Sequence, residues 1–192
     1  VPIPRAVLLA GPSGSGKSTL AAHLGWPVLR LDDFYRDGDD PLLPKDEHGR
    51  ADWDAVGSWN ADKALRAVVE LSETGKTEAP VYSISADRAV GTQTIELGDA
   101  PAFIAEGLFA DLLVEGARTA GVLRDAIVLA PSPPVTFVRR FARDLAEARK
   151  PVPTLIRRGI RLMREQPQVV RRCVDAGMRR TTPGKARAEL IV

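Results

Sequence analysis

Residues 8–19 read "LLAGPSGSGKST". Apolar residues lead into a glycine-rich turn that closes on a lysine and a hydroxyl. Arg5–Ala10, "RAVLLA", is short, apolar and followed by glycine, which predicts a buried strand. Gly16–Leu24 predicts the helix after it. Between them, Gly11 to Ser18 fit the pattern G-x-x-x-x-G-K-[ST] at every fixed position.

Each residue type in that pattern has a physical reason. Glycines let the backbone curl so that successive N–H groups point inward at phosphate oxygens. The following helix adds its positive N-terminus. Lys17 is placed to reach the β- and γ-phosphates, and the Ser18 hydroxyl to ligate Mg²⁺. The motif therefore predicts a phosphate-binding loop (P-loop) for ATP or GTP. It is formed by Gly11, Ser13, Gly14, Ser15, Gly16, Lys17, Ser18 and Thr19, although Thr19 lies inside the helix and needs no role of its own.

The rest of the chain bounds what the loop serves. At 192 residues and 44% hydrophobic, it predicts a single domain with a normal core. No apolar run approaches the ~20 residues of a membrane span. The opening stretch runs straight into the loop instead of reading as a leader. Cys173 is the only cysteine, so no disulfide forms within the chain, which fits a reducing cytoplasm. The net charge of +2 hides an asymmetry. Residues 1–130 carry 12 Lys/Arg against 20 Asp/Glu, and residues 131–192 carry 15 against 5. A basic tail raises nucleic acid as a partner. Arginines meeting small-molecule phosphates explain it as well.

Pro27–Leu31 predicts a second strand. Asp32–Gly57 is acidic and rich in Pro and Gly, so it reads as a long loop. Asn60 predicts a helix cap, with the helix running to Thr74 and stopped by Gly75. Ala79–Ile84 is a strand candidate, and Thr92–Leu97 part of a small hairpin. Pro101–Ala105 and Ala126–Ala130 are further buried strands. Helices are expected over Val135–Lys150, Thr154–Arg164 and Gln168–Ala176. Alternating strands and helices imply a three-layer α/β/α fold around a mostly parallel five-stranded sheet, with a helical region at the C-terminal end.

Asp32 and Asp33 follow the second strand directly. Ligands of open α/β sheets gather outside the carboxyl ends of the strands. A carboxylate there can take the proton of an attacking hydroxyl or bind a metal's water shell. Asp37, Asp39 and Asp40 read as a solvated acidic turn.

In order and spacing, "GPSGSGKST", "LDDFYRDGDDP", "DWDAVGSW", "PVYSISADR", "AFIAEGLFA" and "RRFARDLAEARK" resemble the uridine kinase family of P-loop kinases. That group includes phosphoribulokinase and bacterial pantothenate kinase. The resemblance implies a kinase that moves the γ-phosphate of ATP to a small-molecule hydroxyl, in the first place a nucleoside 5′-hydroxyl. It implies Asp32 as the base, Lys17 and Arg143 as catalytic partners, and Tyr35, Asp54, Tyr82 and Arg88 around the acceptor. Glu106 would stand near Mg²⁺ with Ser18. Arg139, Arg140 and Arg143 would form a lid over the phosphates, for which planar guanidinium donors are suited. The acceptor insertions would span about residues 32–60 and 82–97, and the lid about 135–165.

Three segments depart from the family pattern. Asp54-Ala55-Val56 stands where the family reads D-H-P. Tyr82-Ser83-Ile84 replaces Y-D-F, without the later histidine. Ala148-Arg149-Lys150 replaces R-G-R. The phosphate machinery is kept while the acceptor pocket is altered. Kinases for a sugar, pantothenate or nicotinamide riboside are therefore alternatives. A regulatory NTPase or nucleic-acid-binding module is another. The GTPase segment N-K-x-D is missing, and so is a tandem aromatic–basic pattern, so nucleic acid is not expected as a partner; without an apolar run of spanning length, neither is a membrane. A homo-oligomer stays open.

Overall fold

The computed structural model describes residues 3, 5–53, 55–146 and 152–190; within the helices, the side chains of 143, 144, 146, 152–154 and 158 lie outside the description. Seven strands and six α-helices follow one another among these residues. They are β1 Ala6–Ala10, α1 Lys17–Leu24, β2 Val28–Arg30, α2 Ala61–Thr74, β3 Lys76–Ser83, β4 Arg88–Glu96, β5 Phe103–Glu106, α3 Val114–Thr119, β6 Leu123–Leu129, α4 Pro133–Ala146, α5 Val152–Asp175, β7 Arg179–Thr181 and α6 Pro183–Leu190.

Five strands pair in the order β2-β5-β1-β6-β7, and every pairing is parallel. Central β1 is buried along its whole length. Its alternation divides the core. Ala6, Leu8 and Ala10 join the cluster that α2, α3 and the end of α5 build with Val68, Leu71, Val114, Val170 and Cys173. Val7 and Leu9 face the other way, onto Leu20 and Ala21 of α1 and Ala186 and Leu190 of α6. A strand covered on both faces must be apolar throughout, which is why "AVLLA" carries no polar residue.

The expected three-layer fold is present, with differences of membership. The strand expected over Ala79–Ile84 is β3, which lies outside the main sheet and pairs with β4 in a separate antiparallel hairpin; the small hairpin expected around Thr92–Leu97 is present there. The fifth sheet strand is β7, "RRT", three residues that extend the edge of β6. The two helices expected around Pro167 are one: α5 runs through it. Proline removes one backbone donor there. Beside it, buried Gln166 donates to the Pro131 carbonyl at 2.7 Å and accepts from Thr136 Oγ1 at 2.5 Å.

α2 begins and ends as its sequence dictates. Asn60 Oδ1 accepts from the Lys63 N–H at 3.0 Å, and Gly75 closes the helix in the left-handed conformation. Asn60→Ala is expected to cost about 1 kcal/mol in a denaturation midpoint measured by circular dichroism. Among the described residues no helix is long and apolar enough to cross a membrane.

Candidate active site

Because the strands are parallel, their carboxyl ends share one edge of the sheet. β1 ends into the loop Gly11–Gly16, β5 ends on Glu106 and β2 ends just before Asp32. Register ties these together: Leu9 lies opposite Glu106, and Glu106 opposite Arg30.

The loop is a tight cradle. Gly11 has φ +146°, and a Cβ there would lie 2.7 Å from both the Leu129 carbonyl oxygen and Ser15 Oγ. Gly14 has φ +84°, and its Cβ would stand 2.9 Å from the Thr136 carbonyl oxygen of α4. Only glycine allows the backbone to curl this closely. Lys17 Nζ reaches across the loop to the Gly11 carbonyl at 2.7 Å. Ser15 is buried, and its Oγ has no hydrogen-bond partner among the described residues. Ser18 and Thr19 are exposed in the first turn of α1.

At the same edge of the sheet as the loop stand two carboxylates of different character. Asp32 is exposed, and its Oδ1 accepts from the Leu108 N–H at 2.9 Å. A Cβ on Gly107 would come within 2.9 Å of that same oxygen, so the turn after β5 presses against Asp32. Glu106 Oε2 is buried without a hydrogen-bond partner among the described residues. Burial raises its carboxyl above the usual range; Lys17 pulls it down, Asp32 pushes it further up and Arg30 pulls it down.

Asp33 points elsewhere. It is buried, 3.6 Å from Arg30 Nε, and accepts a hydrogen bond from the Tyr82 N–H. Burial raises its carboxyl against the opposing pull of Arg30 and that N–H. A raised pKa means the folded state holds this proton more tightly than the unfolded chain. Stability from this group is therefore full at low pH and lost as pH rises through the folded value. Asparagine keeps the acceptor and drops the charge. Asp33→Asn is expected to melt above wild type at pH 7, with the gap closing as pH falls toward the ordinary aspartate value of 3.8. Thermal melts across that range check it.

Aromatic side chains gather around Tyr35. Tyr35 lies 6.2 Å from Trp53, 6.0 Å from Tyr82 and 6.2 Å from Phe109, ring centre to ring centre. Trp53 and Tyr82 are 6.4 Å apart. The Tyr82 hydroxyl donates to the Arg36 carbonyl at 3.0 Å, and burial lifts it to about 12. Trp59 is buried, with its indole N–H on the Leu31 carbonyl, so it belongs to the core. Arg88 is exposed at the start of β4, opposite Ser83. Asp54 lies outside the described residues. Asp37 and Asp40 do more than meet solvent: Asp37 accepts from the Ala89 N–H at 2.8 Å, and Asp40 pairs with Arg36 at 3.0 Å.

α4 lies along the loop. Arg139 is exposed, with Nη1 3.9 Å from where a Gly16 Cβ would stand. Arg140 is buried and donates to the Gly159 carbonyl of α5 at 3.3 Å. Arg143 follows on the same helix, with its side chain outside the described residues.

Two neighbours escaped sequence reasoning. Pro183, the first residue of α6, has its Cγ 3.2 Å from the Gly16 Cβ position. A proline opening a helix is a start signal, and "TTPGK" carries it. Arg172 grips the turn after β5, and the flat arginine count of α5 hid it among solvated neighbours.

Residues 7–176 match the model of the family described as phosphoribulokinase / uridine kinase. The chain belongs to that family. It is 29% identical over 153 residues to the uridine kinase of Saccharomyces cerevisiae, covering 74% of this chain and 29% of that protein. To the uridine kinase of Schizosaccharomyces pombe it is 30% identical over 148 residues, covering 73% and 32%. The chain thus spans about a third of the length of these curated relatives. Among solved structures, a protein from Silicibacter sp. TM1040 described as a fructose transport system kinase shares the fold. Its TM-score is 0.58 at 19% identity, over 95% of this chain and 89% of that one. The family match stops at 176, so β7 and α6, which bring Pro183 to the loop, lie beyond it.

Proposed function

We propose that the protein is an ATP-dependent kinase that phosphorylates a small-molecule hydroxyl, with a nucleoside 5′-hydroxyl as the first acceptor to test. One observation carries the reading. A glycine cradle, a hydrogen-bonded exposed carboxylate at Asp32 and a buried Glu106 carboxylate oxygen with no partner among the described residues share one edge of the sheet.

The loop N–H groups and Lys17 would hold the triphosphate, with Ser13, Gly14, Ser15, Gly16 and Thr19 around it. The Ser18 hydroxyl and Glu106, through water, suit Mg²⁺. That ion prefers one or two oxygen donors plus substrate phosphates to an all-protein cage. Among the described residues no group of three metal-ligating His, Cys, Asp or Glu side chains forms such a cage. The orphaned Glu106 oxygen fits the ion's water shell. When bound, the ion neutralises charge on the phosphate oxygens.

Asp32 would accept the proton of the acceptor hydroxyl as its oxygen bonds to the γ-phosphorus. The bond to the bridging oxygen breaks, and its electron pair leaves with ADP. Arg139, Arg140 and Arg143 would offset charge on the transferred group and help exclude water, which would otherwise take the phosphoryl group. Tyr35, Tyr82, Asp54 and Arg88 would surround the acceptor. In this reading residues 32–60 and 82–97 are acceptor insertions, 135–165 is the lid, and the protein works in the cytoplasm without a nucleic-acid partner.

A second acceptor class has its own support. The Tyr82 hydroxyl proton is committed to Arg36, and the Arg36 guanidinium is held by Asp40 and the Gly57 carbonyl. The wall around Tyr35 is then mainly aromatic face, which also suits the apolar side of a sugar or a vitamin. Coupled ADP release with ATP or GTP and Mg²⁺ tests both against uridine, cytidine, hexoses, pantothenate and nicotinamide riboside. Release that depends on a nucleoside is the expected result. Release that depends on another acceptor supports the second reading. Slow release indifferent to every acceptor overturns both in favour of a regulatory NTPase.

A further inference from the structure

Arg172 lies on α5, well outside the loop and the arginines of α4. Its Nε donates to Asp111 Oδ2 at 2.8 Å, and its Nη2 to Asp111 Oδ1 at 3.0 Å and the Leu108 carbonyl at 2.9 Å. Its guanidinium carbon sits 5.4 Å over the Phe109 ring. The Asp111 side chain is 1% exposed, so this bidentate pair is anchored in the interior. All four contacts fall on residues 108–111. From the opposite side the same turn offers the Leu108 N–H to Asp32, the hydrogen bond that fixes that carboxylate among the described residues. Leu108 is thus held at its carbonyl by Arg172 and at its N–H by Asp32. Phe109, under the guanidinium, packs on Tyr35 and Trp59.

We propose that Arg172 is a positioning residue: acting through the Leu108 backbone, it orients Asp32 for proton abstraction. The proposal rests on the reading of Asp32 as the base. Lysine at 172 can pair with Asp111 but cannot span it and Leu108 together in a planar fork.

Two variants separate this role from simple stability. Arg172→Lys keeps the charge. Arg172→Gln combined with Asp111→Asn keeps a neutral hydrogen-bonding pair and avoids stranding a buried carboxylate. Each is also made with Asp32→Asn. In the neutral pair the Leu108 amide should exchange with deuterium about tenfold faster or more, with α2 amides unchanged. With ATP, Mg²⁺ and uridine, kcat should fall about 10–100-fold while KM for ATP holds, as expected for a displaced catalytic group. Arg172→Lys should fall between wild type and the pair. In the Asp32→Asn background the further loss should vanish, since residues acting as a unit are not additive. Unchanged Leu108 exchange, or losses that simply add, would overturn the proposal. If wild type transfers to no acceptor, the proposed function fails, and the exchange experiment still decides whether Arg172 holds Leu108.

Discussion

Asp32→Asn is expected to lower phosphoryl transfer by about 10²–10⁴-fold, the range for a lost acid–base group, while nucleotide binding persists. Asparagine preserves the acceptor for the Leu108 N–H, so the turn after β5 should stay in place. What is lost is the capacity to take a proton. The neighbouring Asp33 cannot stand in. It is buried, faces Arg30 and accepts from the Tyr82 N–H, and its raised pKa follows from that burial. Single-turnover transfer and equilibrium ATP binding, measured on the same preparation, separate the two effects. Transfer near the wild-type rate would remove Asp32 from the mechanism.

Lys17→Ala is expected to reduce transfer by about 10²–10³-fold, the scale of one lost electrostatic donor at a charge-developing centre. The fold should persist. The ammonium group is half-buried, and its bond to the Gly11 carbonyl can be replaced by water. The cradle is shaped by glycine geometry and by the Thr136 backbone, which the substitution leaves alone. Circular dichroism melts beside kcat and KM check both halves. Turnover equal to wild type would mean that the loop serves something other than the transferred phosphate.

How much of this was legible beforehand follows from which signals are local. The loop, β1, the Asn60 cap and the Gly75 stop are written in adjacent residues, and the structure has them where the chain implies. Asp32 could be placed at a strand end because β2 is read from "PVLRL" alone. That Asp32 faces outward while Asp33 turns into the interior could not be read. The two share a dipeptide, and only the pressing of Gly107 and the hairpin around Tyr82 tells them apart. β7 was missed because "RRT" has no apolar alternation and becomes a strand only by borrowing the edge of β6. Pro167 suggested a break that tertiary packing overrode. Arg172 looks like any other arginine until Asp111, 61 residues away, is brought beneath it.

The chain leaves the sheet at the end of β6, builds α4 and α5, and re-enters through β7, the strand paired directly alongside. The excursion therefore starts and ends on neighbouring parallel strands of one sheet, leaving at Leu129 and returning at Arg179, which pairs with Ile127. With Val170 and Cys173 in the core and Arg172 tied to buried Asp111, the far end of α5 is a fixed anchor, so the excursion that carries the arginines of α4 returns to the sheet through the same helix that grips the turn beside Asp32.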